Sequence, residues 1–218
     1  MTLRCLKPAL PLAALVLSCS VASAGDWSGF YSGLSAGWVE SNDTWTNTGN
    51  PDFNDVGKRS FLGIQGGYNW QFGHTVLGVE ADYLFVTEEA SVVCGDGSVL
   101  CGHQLKDLGS VRGRLGWVGT PSAMIYLTGG LGWGAAKWTQ QDAVTGDTSA
   151  GGTASRTVAG LVLGAGGEYL LAKNWSLKGE YLHYDFGKFT PSDAEFPGGA
   201  PTFKLYADTY KLGLNFRY

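Results

Sequence analysis

The chain has 218 residues, among them 34 Gly and 8 Trp, with only 16% charged residues and a formal net charge of −4. Gly is about twice its ordinary share of roughly 7%, and charge falls well short of the usual figure of about 25%. The mean hydropathy of −0.02 is too low for a bundle of membrane helices. This balance excludes a basic nucleic-acid binder and suits a β structure with two differently specialised faces.

At the N-terminus, Arg4 and Lys7 precede PALPLAALVLSCSV, an apolar stretch too short to span a bilayer. Ala22-Ser23-Ala24 has the small-x-small form of a cleavage site. This predicts a signal peptide over residues 1–24 and one domain over 25–218. A lipoprotein box at Cys19 fits less well, because Leu17 is a poor match there. Removing 1–24 takes away Arg4, Lys7 and no acid, so the formal charge moves from −4 to −6.

From residue 29 the chain repeats one theme, a dozen or so alternating residues and then a connection. Phe30, Leu34, Ala36 and Trp38 share one face. Leu62, Ile64, Tyr68, Trp70 and Phe72 share the next. Leu77, Val79, Ala81, Tyr83 and Phe85 are set against Gly78, Glu80 and Asp82. Cys94 and Cys101 follow in a polar connection, and in an exported protein two nearby cysteines predict one disulfide. Closing so short a loop stabilises by roughly 2–3 kcal/mol. The rival is a metal site of Cys94, Cys101 and His103, with Asp96 the best fourth ligand in reach.

Beyond it, Val111, Leu115 and Trp117 stand against Ser110, Arg112 and Arg114. Ile125, Leu127, Leu131 and Trp133 stand against Tyr126, Thr128, Gly130 and Gly132. Leu161, Leu163, Ala165 and Tyr169 stand against Gly160, Gly164, Gly166 and Glu168. Trp175, Leu177 and Tyr181 stand against Ser176, Lys178 and Glu180. The last run sets Tyr210, Leu212, Leu214, Phe216 and Tyr218 against Thr209, Lys211, Gly213, Asn215 and Arg217. A period of two over eight runs predicts eight strands.

The connections at 73–74, 119–123 and 171–174 are short. Those at about 40–58, 87–106, 138–155 and 187–205 are long and polar. An even strand count with short turns at one end and long loops at the other predicts an eight-stranded antiparallel up-and-down barrel that crosses a membrane. A soluble lipocalin-like barrel is the rival, with its apolar face inside. The charges decide between them. Glu80, Asp82, Arg112, Arg114, Glu168, Lys178, Glu180, Lys211 and Arg217 all fall opposite the aromatics, as a mixed-sign set that a narrow lumen could pair internally. The aromatics sort toward the two ends of the other face, with Leu, Ile, Val and Ala between them, as in two interfacial girdles. In this register Leu163 meets lipid, and Gly164 meets the lumen, where Ser is expected to be mild.

The stretches DWSGFYSGLSAGW, GIQGGYNWQFG, LGVEADY, GSVRGRLGW, GAGGEYLLAKNWSLKGEYLHYDFG and YKLGLNFRY, in that order, resemble the porin-like outer-membrane β-barrel proteins of Gram-negative bacteria, especially the alphaproteobacterial surface-antigen group. The resemblance implies an outer-membrane, immunogenic protein without enzymatic activity or cofactor. The Tyr210–Tyr218 alternation likewise resembles the signal read by the outer-membrane assembly machinery.

Three functions are weighed. The first is a scaffold for envelope integrity, whose four long loops meet lipopolysaccharide, host or phage. The loops carry more acid than base, so contact with anionic lipopolysaccharide would need divalent cations or residues such as Lys58, Arg59 and Lys106. The second is a narrow porin-like channel gated by the Arg112/Arg114–Glu80/Asp82 set. Eight strands leave only room for side chains, however, while open porins use about 16–18. The third is a lipid-modifying enzyme around His183 and Asp185, but no Ser or Cys in that run completes a nucleophilic set. GLGWGA at 130–135 lies inside a strand with no helix after it, so its likeness to a dinucleotide fingerprint is chance.

Overall fold

The computed structural model describes the backbone of residues 26–47, 50–86, 90–94, 99–142, 153–189 and 202–218. Side chains are described for 26–41, 57–86, 107–135, 155–188 and 202–218, apart from 203. The expected signal peptide and the side chains of Cys94, Cys101 and His103 lie outside the described residues.

Among the described residues nine strands follow in order: β1 (Gly29–Asn47), β2 (Asn50–Phe72), β3 (Thr75–Val86), β4 (Ala90–Cys94), β5 (Val99–Thr120), β6 (Ala123–Asp142), β7 (Thr153–Ala172), β8 (Trp175–Phe189) and β9 (Thr202–Arg217). Each pairs antiparallel with its neighbours. β4 pairs with β5 beyond the point where β3 leaves off, so β3 and β4 occupy one stave of the wall. The β1–β9 and β3–β5 pairings close an eight-stave barrel, which leaves no open edge in the wall.

The register fixes its shape. Stepping across partners from Ser32 leads through Gly66, Ala81, Val111, Leu131, Leu161, Asp185 and Tyr206 to Asn42, ten residues further along the starting strand. Such a stagger over eight staves tilts the strands by roughly 35–45° and leaves a bore that side chains fill.

The short connections are tight. Gly73-His74 joins β2 to β3, with Gly73 in the left-handed region at φ 61°. The long ones differ from the expectation. β1 and β2 pair out to Asn47 opposite Asn50, with one register shift between Trp45 and Asn47, so most of 40–58 is hairpin. β5 and β6 likewise pair out to Val99 opposite Asp142. The polar alternation of these segments continues the ladder past the apolar band. In the β4–β5 ladder Cys94 stands opposite Val99 and Cys101 opposite Val92, which sets the two cysteines at diagonal positions on one face.

The two faces are inverted relative to a water-soluble barrel. Leu34, Ile125 and Leu163 expose 68%, 68% and 65% of their surface on the outside, while Glu80, Arg112 and Lys178 keep 1%, 1% and 0% within. Outward aromatics collect at the two rims, Trp70, Phe72, Trp117, Tyr169, Trp175 and Tyr218 toward the short turns and Trp38, Phe85, Trp133, Tyr181 and Tyr210 toward the long connections. The final strand is stitched into the wall: Tyr218 N–H donates to the Phe30 carbonyl at 3.1 Å, and Asn174 Nδ2 to the Arg217 carbonyl at 2.8 Å.

Candidate functional site

The lumen is built in three layers. At the short-turn end, Asp26–Ser28 folds across the opening and Trp27 N–H donates to Gln71 Oε1 at 2.6 Å. Trp27 is fully buried and packs with Val76, Val118, Met124 and Tyr126. At the other end Val39, Phe61, Leu84, Leu108, Val162, Leu182, Tyr184, Leu205 and Ala207 form a second apolar layer. The charged residues lie between. Inward glycines make the space: a Cβ on Gly132 would come within 2.7 Å of the Tyr184 ring, and one on Gly116 within 2.7 Å of Met124 Sδ.

Arg112 is the hub of the middle layer. Its Nη2 donates to Glu80 Oε1 at 2.5 Å and Asp82 Oδ2 at 2.8 Å. Nη1 donates to Glu180 Oε1 at 3.1 Å, and Nε to Ser110 Oγ at 2.9 Å. Lys178 Nζ donates to both Glu80 oxygens at 2.6 and 2.7 Å. Lys211 Nζ lies 2.5 Å from Asp82 Oδ2 and 2.8 Å from Glu180 Oε2. Arg114 bonds Glu168 Oε2 at 2.9 Å and Tyr31 Oη at 2.7 Å, with its guanidinium 4.0 Å from the centroid of the Tyr126 ring. Four carboxylates thus meet four cations, and the layer is neutral. This is the condition under which buried charge is tolerated, since each ion has partners of opposite sign and, apart from the buried Arg114 Nε, its polar atoms find hydrogen bonds.

Sequence reasoning missed the neutral members. Tyr31 and Tyr126 donate their hydroxyls to Glu80 Oε2 at 2.7 Å and Glu180 Oε1 at 2.9 Å. Ser176 Oγ and Asn215 Nδ2 both donate to Glu168 Oε1, at 2.5 and 2.9 Å. All share the inward parity of the charges, and that parity is the signal that could have found them. Arg217 stands apart from the other eight charged residues. Its guanidinium covers the Trp27 ring at 5.0 Å and donates to the Asp26 carbonyl at 2.5 Å, so it ties down the end plug and takes no carboxylate in the middle layer.

Glu80, Asp82 and Glu180 bring carboxylate oxygens within 4.8 Å of one another, a donor set that suits a divalent cation. Arg112, Lys178 and Lys211 already fill the space between them. On the outer surface, His183 pairs with Asp208 rather than Asp185. Its Nδ1 lies 2.8 Å from Asp208 Oδ1, which also accepts the Tyr181 hydroxyl at 2.6 Å. Asp185 turns back to accept the Gly187 N–H at 2.9 Å.

In sequence the chain is 35% identical over 225 residues to the 31 kDa outer-membrane immunogenic protein of Brucella melitensis, across 97% of this chain and 90% of that protein. It is 31% identical over 203 residues to the 22 kDa outer membrane protein of Rhizobium leguminosarum bv. viciae, across 91% and 81%. Its fold is shared with the outer membrane protein OprG from Pseudomonas aeruginosa, at a TM-score of 0.53 and 12% identity over 89% of this chain and 99% of that one. The outer membrane protein beta-barrel domain matches residues 9–218, which takes in every strand of the wall, and the chain belongs to that family, an outer-membrane protein of the bacterial cell.

Proposed function

We propose that the protein is a plugged scaffold of the outer membrane, contributing to envelope integrity and meeting its surroundings through the hairpins at its long-connection end. The observation that carries this reading is the lumen, in which a neutral charge layer lies between two apolar ones. Apart from the buried Arg59 at one end and Arg217 at the other, an ion would meet apolar side chains before reaching the middle layer, and the cost of leaving water for them rises steeply where no hydrogen-bond partner waits. The likeness to immunogenic proteins fits surface exposure. Residues 1–24 act as the export signal, the Tyr210–Tyr218 alternation as the mark for the assembly machinery, and lipopolysaccharide, host or phage as the loop partners. No catalysis is assigned, because the rungs beside His183 and Asp208 on β8 and β9 carry Tyr181, Tyr210, Asp185 and Tyr206, none of them a nucleophilic Ser or Cys.

Planar-bilayer recordings on the refolded chain test the plug. The folded protein is expected to be silent, and Arg112→Ala, Arg114→Ala to remain silent, because the apolar layers stay. Discrete steps that change with those substitutions would instead make the lumen a charged channel. The same reading keeps Cys94 and Cys101 bridged within the second hairpin. Thiol titration of denatured, unreduced protein is then expected to find none free, and two reactive thiols would rule the bridge out.

A further inference from the structure

Up β8 the alternation is strict. Glu180, Leu182 and Tyr184 face the lumen, and Tyr181, His183 and Asp185 face out. Continued unbroken, it would turn Lys188 inward. Between Asp185 and Lys188, however, the ladder slips by one residue, at Gly187 in the left-handed region with φ 73°. The Gly187 N–H, donated to Asp185 Oδ1, holds the slip in place. A bulge re-aims a side chain. This one brings Lys188 out opposite Lys204 of β9, which lies on the outer face beyond Tyr206. Lysines directly opposed on an antiparallel pair repel, and among the described residues neither has a carboxylate partner. The nearby acids are committed: Asp185 to Gly187, Asp208 to Tyr181 and His183, and Glu40 to Lys58 at 3.5 Å. The stagger of the barrel brings Lys58 of β2, two staves on, to nearly the height of this pair.

Further down the ladder, past the Asp185–Tyr206 and His183–Asp208 rungs, Tyr210 packs against Tyr181 and Trp38 with ring centroids 5.3 Å apart in each case. These half-exposed rings form the rim where acyl chains meet headgroups. A basic pair above such a rim, with Lys204 Nζ 4.8 Å from the centroid of the Tyr206 ring, suits an anion whose chains run down the wall.

We propose that Lys188 and Lys204, with Lys58 beside them, hold the phosphate of an outer-leaflet lipid headgroup. This rests on the reading that the long-connection end is the outer one. The test uses the refolded chain in phosphatidylcholine nanodiscs doped with lipid A or with its dephosphorylated form, the retained glycolipid being counted by native mass spectrometry. Wild type is expected to retain the phosphorylated form preferentially. Lys188→Ala, Lys204→Ala is expected to weaken that preference roughly 10- to 30-fold, on about one surface-lysine contribution each. Lys173→Ala, at the short-turn end, is expected to change nothing. An unchanged preference in the double variant overturns the proposal. So does displacement of lipid A by inorganic phosphate, which would make the pair a site for the soluble ion. If the double variant does not give the folded, heat-modifiable band, Lys188→Gln carries the same comparison with a several-fold loss. Protease shaving of intact cells reads the orientation independently: a long-connection end on the periplasmic side would sink the underlying reading whatever the nanodiscs show.

Discussion

Arg112→Met is expected to destabilise the folded barrel by about 3–5 kcal/mol, the scale for removing one partner of a buried ion network. Arg112 is 1% exposed and touches three of the four buried carboxylates. Its loss leaves the middle layer with four acids and three bases. Lys178 and Lys211 can keep Glu80 and Asp82, and Glu180 keeps Lys211, Lys178 at 3.4 Å and the Tyr126 hydroxyl, but three cations now serve four carboxylates and the layer carries a net negative charge out of reach of water. Arg112→Met, Glu180→Gln restores neutrality and should recover 0.5–3 kcal/mol of that loss, the usual size of coupling between contacting residues. Urea titration of the heat-modifiable folded form in vesicles reads both. A cost of only a few tenths of a kcal/mol for the single variant would mean that the lumen is wet and its charges screened, which would also undercut the plug.

The wall was legible because two independent signals coincide in it. A period of two gave the strands, and the side that holds Glu80, Arg112, Glu168 and Lys178 gave the inside. The apolar end layers were not read. Hydrophobicity reports exclusion from water, and a leucine that faces lipid satisfies it as well as one that seals a lumen. Leu84 and Leu182 continue the parity of Asp82 and Glu180, so inheritance of face along the strand was the available clue. Glycine worked the same way. The inward glycines read as room for long side chains, which Gly116 and Gly132 provide, but their partners, Met124 and Tyr184, could come only from the cross-barrel geometry.

The extent of the hairpins was misread for a different reason. Polar composition marks where the membrane ends, and strand pairing does not end there, as the β1–β2 ladder out to Asn47 and Asn50 demonstrates. The bulge on β8 left a trace in the sequence, because an Asp two residues before a Gly favours a local turn in which the Asp accepts a backbone N–H. Asp185 and Gly187 form that contact. Without the register of β9 nothing said that it would bring Lys188 to Lys204.

Leu163→Arg is expected to cost about 2–4 kcal/mol, the price of a guanidinium near the bilayer midplane on a barrel's lipid face. Its neighbour Gly164 faces the lumen, and the expectation of a mild Gly164→Ser does not survive the geometry. A Cβ there would lie 2.6 Å from Leu182 Cδ2 and 3.2 Å from Leu182 Cα, and would collide with the Tyr181 carbonyl oxygen of the paired strand. Backbone cannot step aside as the end of a side chain can, so overpacking on the scale of 1–3 kcal/mol follows. The two substitutions therefore differ in kind more than in size, and the solvent separates them. The Arg cost comes from hydrocarbon outside the wall and should shrink in detergent micelles or thin short-chain bilayers, where the side chain reaches water sooner. The Ser cost comes from contact inside the wall and should hold in every medium. Refolding titrations of both variants in thick bilayers, thin bilayers and micelles make the comparison. If the Ser variant tracks bilayer thickness and the Arg variant does not, then β7 is turned inside out, and with it the placement of Glu168 among the buried charges.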